Sequence, residues 1–252
     1  MNFPNCHTTQ VHIGTSQMTN WGTDNLTQFL ERVHSNQRAN VARFPQPYRL
    51  MHRMDECLSI VGKNLVKPEP VMTGILLLRC QYAYKTASGM ALAGQVVETF
   101  VMLRSCLEYA GYALAIFKDP SLQEVFMSRH VSVEGMKAQK DKFRISEIKK
   151  VVGGFDRRLA ELFEEFYERS IDFGGHPNPH ATMSAIEIGR EGNNGTVLTL
   201  ALSTEPRVLL HAMKSVAQVG LTTLFIFQHI FRAKFELLGI NAEMNALRRE
   251  HL

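Results

Sequence analysis

Residues 71–117, with the sequence VMTGILLLRCQYAYKTASGMALAGQVVETFVMLRSCLEYAGYALAIF, carry the longest helical pattern in the chain. Apolar side chains recur there at the three- and four-residue spacing of helices, over a length that suits two of them. We expect the first helix to end and the second to begin near Ser88-Gly89, because glycine weakens a helix interior. Asp119-Pro120 ends the pattern, because the residue before a proline disfavours helical angles. These residues predict helices that pack on helices.

The segments on either side also follow helical spacing. Thr23 or Asp24 can cap the first of them, and prolines separate several others. The predicted helices cover about 24–36, 48–64 after the break at Phe44-Pro-Gln-Pro, 121–129, and 156–173, and then 205–238 before a short polar helix that follows Gly239. Residues 132–150 are predicted to form an exposed basic connector or a helix pair that Gly153-Gly154 ends.

One segment departs from helical spacing. Residues 182–188 and 196–202 alternate or are β-prone on both sides of a Gly- and Asn-rich turn over 189–195. Residues 1–21 are polar and predicted to form a loose arm. The predicted fold is therefore mainly α, a helical bundle with a small β-hairpin (about 182–203) inserted before the last long helix, in a single domain over 22–252.

The amino-acid composition indicates which broad class of protein this chain belongs to. The 252 residues are 45% hydrophobic and 21% charged, as in globular proteins with a core, and the net charge of +4 is too small to indicate nucleic-acid binding without a local patch. The chain does not begin with a basic stretch followed by an apolar run, and its apolar runs at 74–78 and 216–227 are shorter than the roughly 20 residues of a membrane span. We expect a cytoplasmic protein that does not contact membranes.

The cysteines show no spacing typical of a metal site or a disulfide framework. Three of them fall within apolar helical patterns, where a thiol behaves as a small hydrophobe. We therefore expect reduced, buried side chains and predict no metal or other cofactor. The four residues are Cys6, Cys57, Cys80 and Cys106.

The polar residues concentrate at one structural break, Arg169-Ser-Ile-Asp172-Phe-Gly-Gly-His176-Pro-Asn178-Pro-His180. Six polar side chains fall within these twelve residues, where a helical pattern ends, and binding or catalytic sites favour such places. The prolines keep the two histidines off a common helix face, which disfavours a zinc site. One interpretation is a site for chemistry; another is that Asn178 caps the next segment while His176 packs and bonds locally.

A second polar pair lies within the long helical pattern. Arg104 and Glu108 are four residues apart and share an otherwise apolar helix face. In one interpretation they form an intrahelical ion pair that satisfies both charges. In the other they reach across to Asp172 and His176, where an acidic partner would orient the imidazole and raise its pKa, as a general acid or base requires.

The motifs Leu-Arg104-Ser-Cys-Leu-Glu108-Tyr, Asp119-Pro120 and Ser170-x-Asp172-x-x-x-His176-Pro-Asn178-Pro resemble a group of bacterial proteins described as HEPN-like domains of unknown function. The resemblance covers roughly residues 75–185. It implies a helical bundle that dimerises, and Arg169 with His176 matches the arginine-to-histidine spacing of the superfamily. Many members are metal-independent ribonucleases of toxin–antitoxin and phage-defence systems, so the resemblance also implies RNA and an antitoxin as partners.

The same resemblance implies roles for the residues at the break. His176 would act on the 2′-hydroxyl proton or on the leaving oxygen, and Arg169 would stabilise charge on the phosphate. Glu108 and Asp172 would set the geometry of these two groups, and Arg104 is predicted to belong to the same catalytic set. We assign substrate binding to Asn178 and His180 and expect a homodimer that brings two such sites together.

Two other functions are compatible with these residues. In the first, the chain is a non-catalytic helical interaction module, and Arg104, Glu108, Asp172 and His176 form a buried polar network that holds the helices in register. In the second, a small ligand binds between helices at the same break.

Overall fold

The computed structural model describes residues 21–175, 179, 186–191, 194–199 and 201–251. The described residues contain eleven α-helices, which pack around one hydrophobic core. Their bounds are α1 Asn25–Arg43, α2 Pro45–Lys63, α3 Val71–Ala93, α4 Val96–Lys118, α5 Leu122–Met127, α6 Val133–Lys142, α7 Ile145–Phe155, α8 Arg157–Ser170, α9 Pro206–Ile230, α10 Arg232–Leu237 and α11 Ile240–His251.

The antiparallel pair α3–α4 forms the centre of the bundle. Its two buried thiols face each other, because the Sγ of Cys80 donates to the backbone oxygen of Cys106 at 3.5 Å and that of Cys106 to the oxygen of Cys80 at 3.8 Å. The long helix α9 packs against both members of the pair. The prediction of a mainly helical bundle is therefore confirmed in its packed elements.

The turn between α3 and α4 lies at Gly94, so the predicted position at Ser88-Gly89 is wrong. The helix continues through Gly89, whose carbonyl accepts a hydrogen bond from Gln37 Nε2 of α1 at 2.9 Å. Gly94 adopts φ +88°, and its carbonyl accepts from the backbone N–H of Ser203 at 2.8 Å. The left-handed angle is one that glycine adopts without a Cβ clash, which is why this glycine ends the helix.

Amide side chains of α1 complete the end of α3. Asn36 Nδ2 donates to the carbonyl of Ala93 at 3.0 Å, and the buried Asn40 donates to that of Leu92 at 2.8 Å. The last carbonyls of a helix have no partner within it. The amide side chains of α1 thus supply the hydrogen-bond donors that the carbonyls at the end of α3 do not find within their own helix.

The helix boundaries agree with the sequence at two helix starts and differ from it at two helix ends. Asp24 caps α1 by accepting the N–H groups of Leu26 and Thr27, and Asp156 caps α8 by accepting that of Leu159, as expected for such residues. Gly153-Gly154 lies inside α7 rather than after it, and the predicted helix over 205–238 is broken at Phe231. The basic segment forms a helix pair, α6 and α7.

The predicted fold class also needs correction at the inserted hairpin. Segments Ile186–Glu191 and Asn194–Thr199 pair in antiparallel fashion with each other, and substantial packing with a helix is not found among the described residues. An isolated two-stranded ladder is not a stable structural layer. The architecture is therefore a helical bundle. The alternating pattern of these two segments indicates the β propensity of their residues and does not add a layer to the fold. Residues 1–20, the predicted arm, lie outside the described residues.

Two helices, α4 and α9, are long and apolar enough to cross a membrane by length and composition. Inside the bundle, 56% and 72% of their apolar windows are buried. Because core helices of soluble proteins pass the same test, this composition assigns neither helix to a membrane. Among the described cysteines, Cys57, Cys80 and Cys106 are buried free thiols, and burial raises the pKa of Cys57 to about 12.

Substitution of Gly94 tests the turn between α3 and α4. A Cβ there would lie 2.3 Å from the backbone oxygen of Ser203, whereas a Cβ on Gly239, which has φ +72°, meets nothing within 4 Å. Gly239→Ala should lower the free energy of unfolding by about 1 kcal/mol through backbone strain alone. Gly94→Ala should lower it by about 2–4 kcal/mol, because Ser203 must also move. Equal losses in urea unfolding would contradict the close approach.

Candidate functional site

A polar cluster joins α4 to α8. Arg104 Nε donates to Glu108 Oε1 at 2.9 Å, and the hydroxyl of Tyr167 donates to the same oxygen at 3.1 Å. The guanidinium of Arg104 also lies 5.1 Å from the centroid of the Tyr167 ring. Both charged side chains are about 70% buried, with 27% and 29% of their surfaces exposed. The intrahelical ion pair is thus present and is anchored to a second helix.

The electrostatics of this cluster favour binding and positioning over proton transfer. Burial, followed by the negative charge of Glu108, raises the pKa of Tyr167 to about 12. Burial opposes the charge of Arg104, but its hydrogen bond and attraction to Glu108 prevail and raise its pKa. At neutral pH Tyr167 therefore stays a hydrogen-bond donor and Arg104 stays charged.

A second polar cluster lies where α8 faces α9. Arg169 Nη1 donates to Gln218 Oε1 at 2.8 Å, and its Nη2 lies 2.7 Å from Glu165 Oε1. The guanidinium sits over the ring of Phe166, 4.9 Å from its centroid. Arg169 is thus held by α8 and α9, whereas the Arg104–Glu108 pair contacts Tyr167 of α8.

The end of α8 continues into one π-helical turn, Ile171–Gly175, that packs on α4. A Cβ on Gly174 would lie 2.2 Å from the backbone oxygen of Val97 and 2.9 Å from Cβ of Phe100, so glycine permits the approach. The ring of Phe173 stacks on that of Phe100 with 5.1 Å between centroids. Single π-helical turns inside helices are frequent at functional sites.

The predicted site residues are placed only in part. Arg104 and Glu108 meet each other, whereas Arg169 is joined to α9, and the side chain of Asp172 is exposed on the π-helical turn. The predictions for His176, Asn178 and His180 lie outside the described residues. The proposed union of Asp172 and His176 with the Arg104–Glu108 pair therefore stays a prediction.

The sequence pattern did not single out Tyr167 or Gln218, and it favoured a surface or core role for His211. Tyr167 lies two positions before Arg169, and an amphipathic pattern cannot show that its hydroxyl reaches α4. His211 on α9 lies beside two aromatic rings, at 5.8 Å from Phe100 and 5.3 Å from Phe173 between centroids. Burial, and then the charges of Arg169 and Lys214, lower the pKa of His211. The histidine thus borders the place where the π-helical turn, α4 and α9 meet.

A groove between α7 and α8 adjoins the first cluster. It has a volume of about 490 Å³ and is lined by Tyr167, Phe163 and Ile145, with Lys149 and Lys150 on one wall. The ammonium group of Lys149 pairs across it with Glu164 of α8. The volume of this groove lies within the roughly 300–1,000 Å³ range of small-molecule sites.

Among the described residues, no group of three or more His, Cys, Asp and Glu side chains could hold a metal ion. No family model, curated protein or solved structure matches this chain.

The variant Tyr167→Phe tests the link between α4 and α8. It leaves Glu108 with one fewer donor, and the free energy of unfolding should fall by about 1–2 kcal/mol. Tyr109→Phe is the matched control, because its hydroxyl accepts a long, exposed hydrogen bond from Arg79 at 3.5 Å, and its effect should stay within about 0.5 kcal/mol. Urea unfolding measures both, and similar losses would contradict the anchoring role.

The lowered pKa of His211 makes stability depend on pH. As the pH falls below about 6.5, the unfolded chain binds a proton on this residue before the folded chain does, so the folded state loses stability. We expect His211→Gln to lose less stability than the wild type between pH 7.5 and pH 5.5 in urea unfolding. Leu210→Gln, an exposed neighbour, should keep the wild-type dependence. A His211→Gln slope equal to that of the wild type would contradict this origin.

Proposed function

We propose that this chain is a non-catalytic helical interaction module that pairs with a second copy of itself through one face of α3. The observation that carries this proposal is a row of four apolar side chains that the bundle leaves uncovered. Val71, Ile75, Leu78 and Tyr82 are 52%, 45%, 41% and 60% exposed. We call these four residues the α3 stripe.

The spacing of the α3 stripe separates it from ordinary exposed apolar residues. Single exposed hydrophobes are common on protein surfaces, but a contiguous apolar patch indicates an interaction site. The intervals of four, three and four residues are those of the heptad positions at which helices pack on one another. The opposite side of α3 is buried in the bundle, so the helix carries apolar side chains on two sides. A helix of this kind is normally covered completely.

Charge favours a second copy as the partner. Glu69 precedes the stripe and Lys85 follows it, and both are exposed. Lys85 also pairs with Asp55 of α2 at 3.7 Å, and the carboxylate of the second copy would be its second partner. In an antiparallel pairing of two α3 helices, a two-fold axis places each acidic end beside a basic end of the other copy. Arg79 does not oppose this, because its guanidinium lies over the Tyr109 ring of α4, 5.6 Å from the centroid.

The polar clusters of α8 support a structural role in such a module. The charges of Glu108 and Arg104 are matched within the bundle, and Arg169 is matched by Glu165 and Gln218. Buried or half-buried ion pairs can specify how helices align. In this function the two clusters hold α8 against α4 and α9. The α3 stripe lies on the other helix of the α3–α4 pair and remains available for the second copy.

Sedimentation equilibrium of the full chain tests the pairing. The wild type should behave as a dimer, and Ile75→Glu should shift it to a monomer with unchanged helical circular dichroism, because the stripe would bury a charge in the interface. Leu210→Glu is the control, since Leu210 is equally apolar and 40% exposed on α9. A monomeric wild type at high micromolar concentration, or equal effects of the two variants, would sink the proposal.

Metal-independent RNA cleavage by Arg169 and His176 is the second candidate function, and the resemblance to HEPN-like proteins motivates it. The observation that favours it is a local excess of positive charge that the net charge of the chain conceals. Residues 129–158 contain nine Lys and Arg against four Asp and Glu. Lys149 and Lys150 of this segment line the groove that Tyr167 shares with the Arg104–Glu108 cluster. Such a patch would bind phosphates without reading sequence.

Incubation of the full chain with total RNA and a chelator tests this second candidate. We expect cleavage that survives chelation and is lost in His176→Ala and Arg169→Ala, by a factor of about 100 or more if His176 is the general acid or base. The exposed Arg249→Ala on α11 should keep full activity. Intact RNA with the wild type would leave the interaction module as the function of the chain.

A further inference from the structure

A second groove runs between α8, α9 and α11, on the other side of α8 from the groove that Tyr167 lines. Its volume is about 420 Å³, which also falls within the roughly 300–1,000 Å³ range of small-molecule sites. Its apolar lining comes from two helices and is formed by Leu159, Leu162, Phe166, Leu221 and Phe225.

The remaining lining residues supply both donors and acceptors of hydrogen bonds. Asp156 contributes a carboxylate, one oxygen of which accepts the N–H of Leu159 at 3.0 Å as the cap of α8. The hydroxyl of Thr222 donates to the Gln218 carbonyl at 2.9 Å, and Gln218 Oε1 accepts from Arg169 at 2.8 Å. The side-chain amide of Gln218 therefore turns its oxygen to Arg169 and keeps its N–H₂ group as a donor.

Two arginines complete the lining, and they lie on different helices. Arg158 on α8 lies 2.9 Å from Glu161 in an exposed ion pair, and Arg248 on α11 is an exposed lining residue. An exposed ion pair contributes little and is readily exchanged. Guanidinium groups bind carboxylate and phosphate through paired hydrogen bonds. The groove thus combines an apolar floor with cationic groups from two helices.

We propose that this groove binds one molecule of an anionic amphipath, with its alkyl chain along the apolar floor and its carboxylate or phosphate against Arg248 and Arg158. A small inorganic anion is not the preferred ligand, because such an anion would gain no binding free energy from contact with the apolar floor. The two guanidinium groups would repel the head group of a cationic amphipath. A free fatty acid and an anionic lipid share this chemistry.

Isothermal titration calorimetry of the full chain at pH 7.5 tests the inference, with decanoate, decan-1-ol and decylamine as probes. We expect saturable binding of decanoate at one site per chain, about tenfold or more tighter than that of the other two probes. The variant Arg248→Glu should weaken decanoate binding by about tenfold or more. The matched control is Arg249→Glu, the exposed neighbour on α11 that does not line the groove, and it should change binding by less than about twofold.

Equal affinity for the three probes, equal effects of the two arginine variants, or no saturable decanoate binding would each overturn the inference. Flotation with phosphatidylglycerol vesicles distinguishes the two sources of the ligand. Flotation that excess decanoate reverses indicates that the groove takes the anionic lipid. No flotation together with decanoate binding indicates a free fatty acid. Flotation that decanoate does not compete, with no decanoate binding in solution, would show a surface interaction and overturn the groove.

Discussion

The close pairing of α3 with α4 is the constraint on which the rest of the structure depends. Gly94 allows the chain to reverse within a few residues, and the backbone of Ser203 then binds its carbonyl at 2.8 Å. Both helices bury one side in the core, and α9 covers them. This arrangement presents Arg104 and Glu108 to α8, and among the described residues it leaves the α3 stripe exposed.

Helix α8 connects the candidate functional features. Its Tyr167 contacts Glu108 on α4, and its Arg169 contacts Gln218 on α9. These two residues contact different neighbouring helices. Helix α8 therefore lies between two grooves, one beside α7 and one beside α11, whose linings differ in chemistry. In the groove beside α7, Lys149 pairs with Glu164 of α8, and the groove beside α11 combines arginines with apolar side chains. Of the polar residues first attributed to one reacting centre, Arg104 and Glu108 thus lie at the interface of α4 with α8, and Arg169 lies at that of α8 with α9.

The sequence predicted helix starts better than helix ends. Asp24 and Asp156 cap their helices through their own short side chains, and such a signal is local. Ser88-Gly89 is not a break, because Gln37 of α1 bonds the Gly89 carbonyl and Ser88 bonds that of Tyr84. Gly153-Gly154 remains helical in α7 for a similar reason, since packing on α8 and α4 outweighs the weak helix propensity of glycine.

The sequence by itself determined that this chain is a helical bundle, that its described thiols are buried, and that Arg104 can pair with Glu108 one turn away. These properties follow from the spacing of residues along a single helix, which composition and periodicity express directly. Only the tertiary structure decided that Tyr167 completes the Arg104–Glu108 pair, that Arg169 turns to α9, and that the α3 stripe stays exposed. Each of these depends on which helix lies opposite, and such long-range contacts are encoded by the packing of the whole chain rather than by the pattern of any one segment.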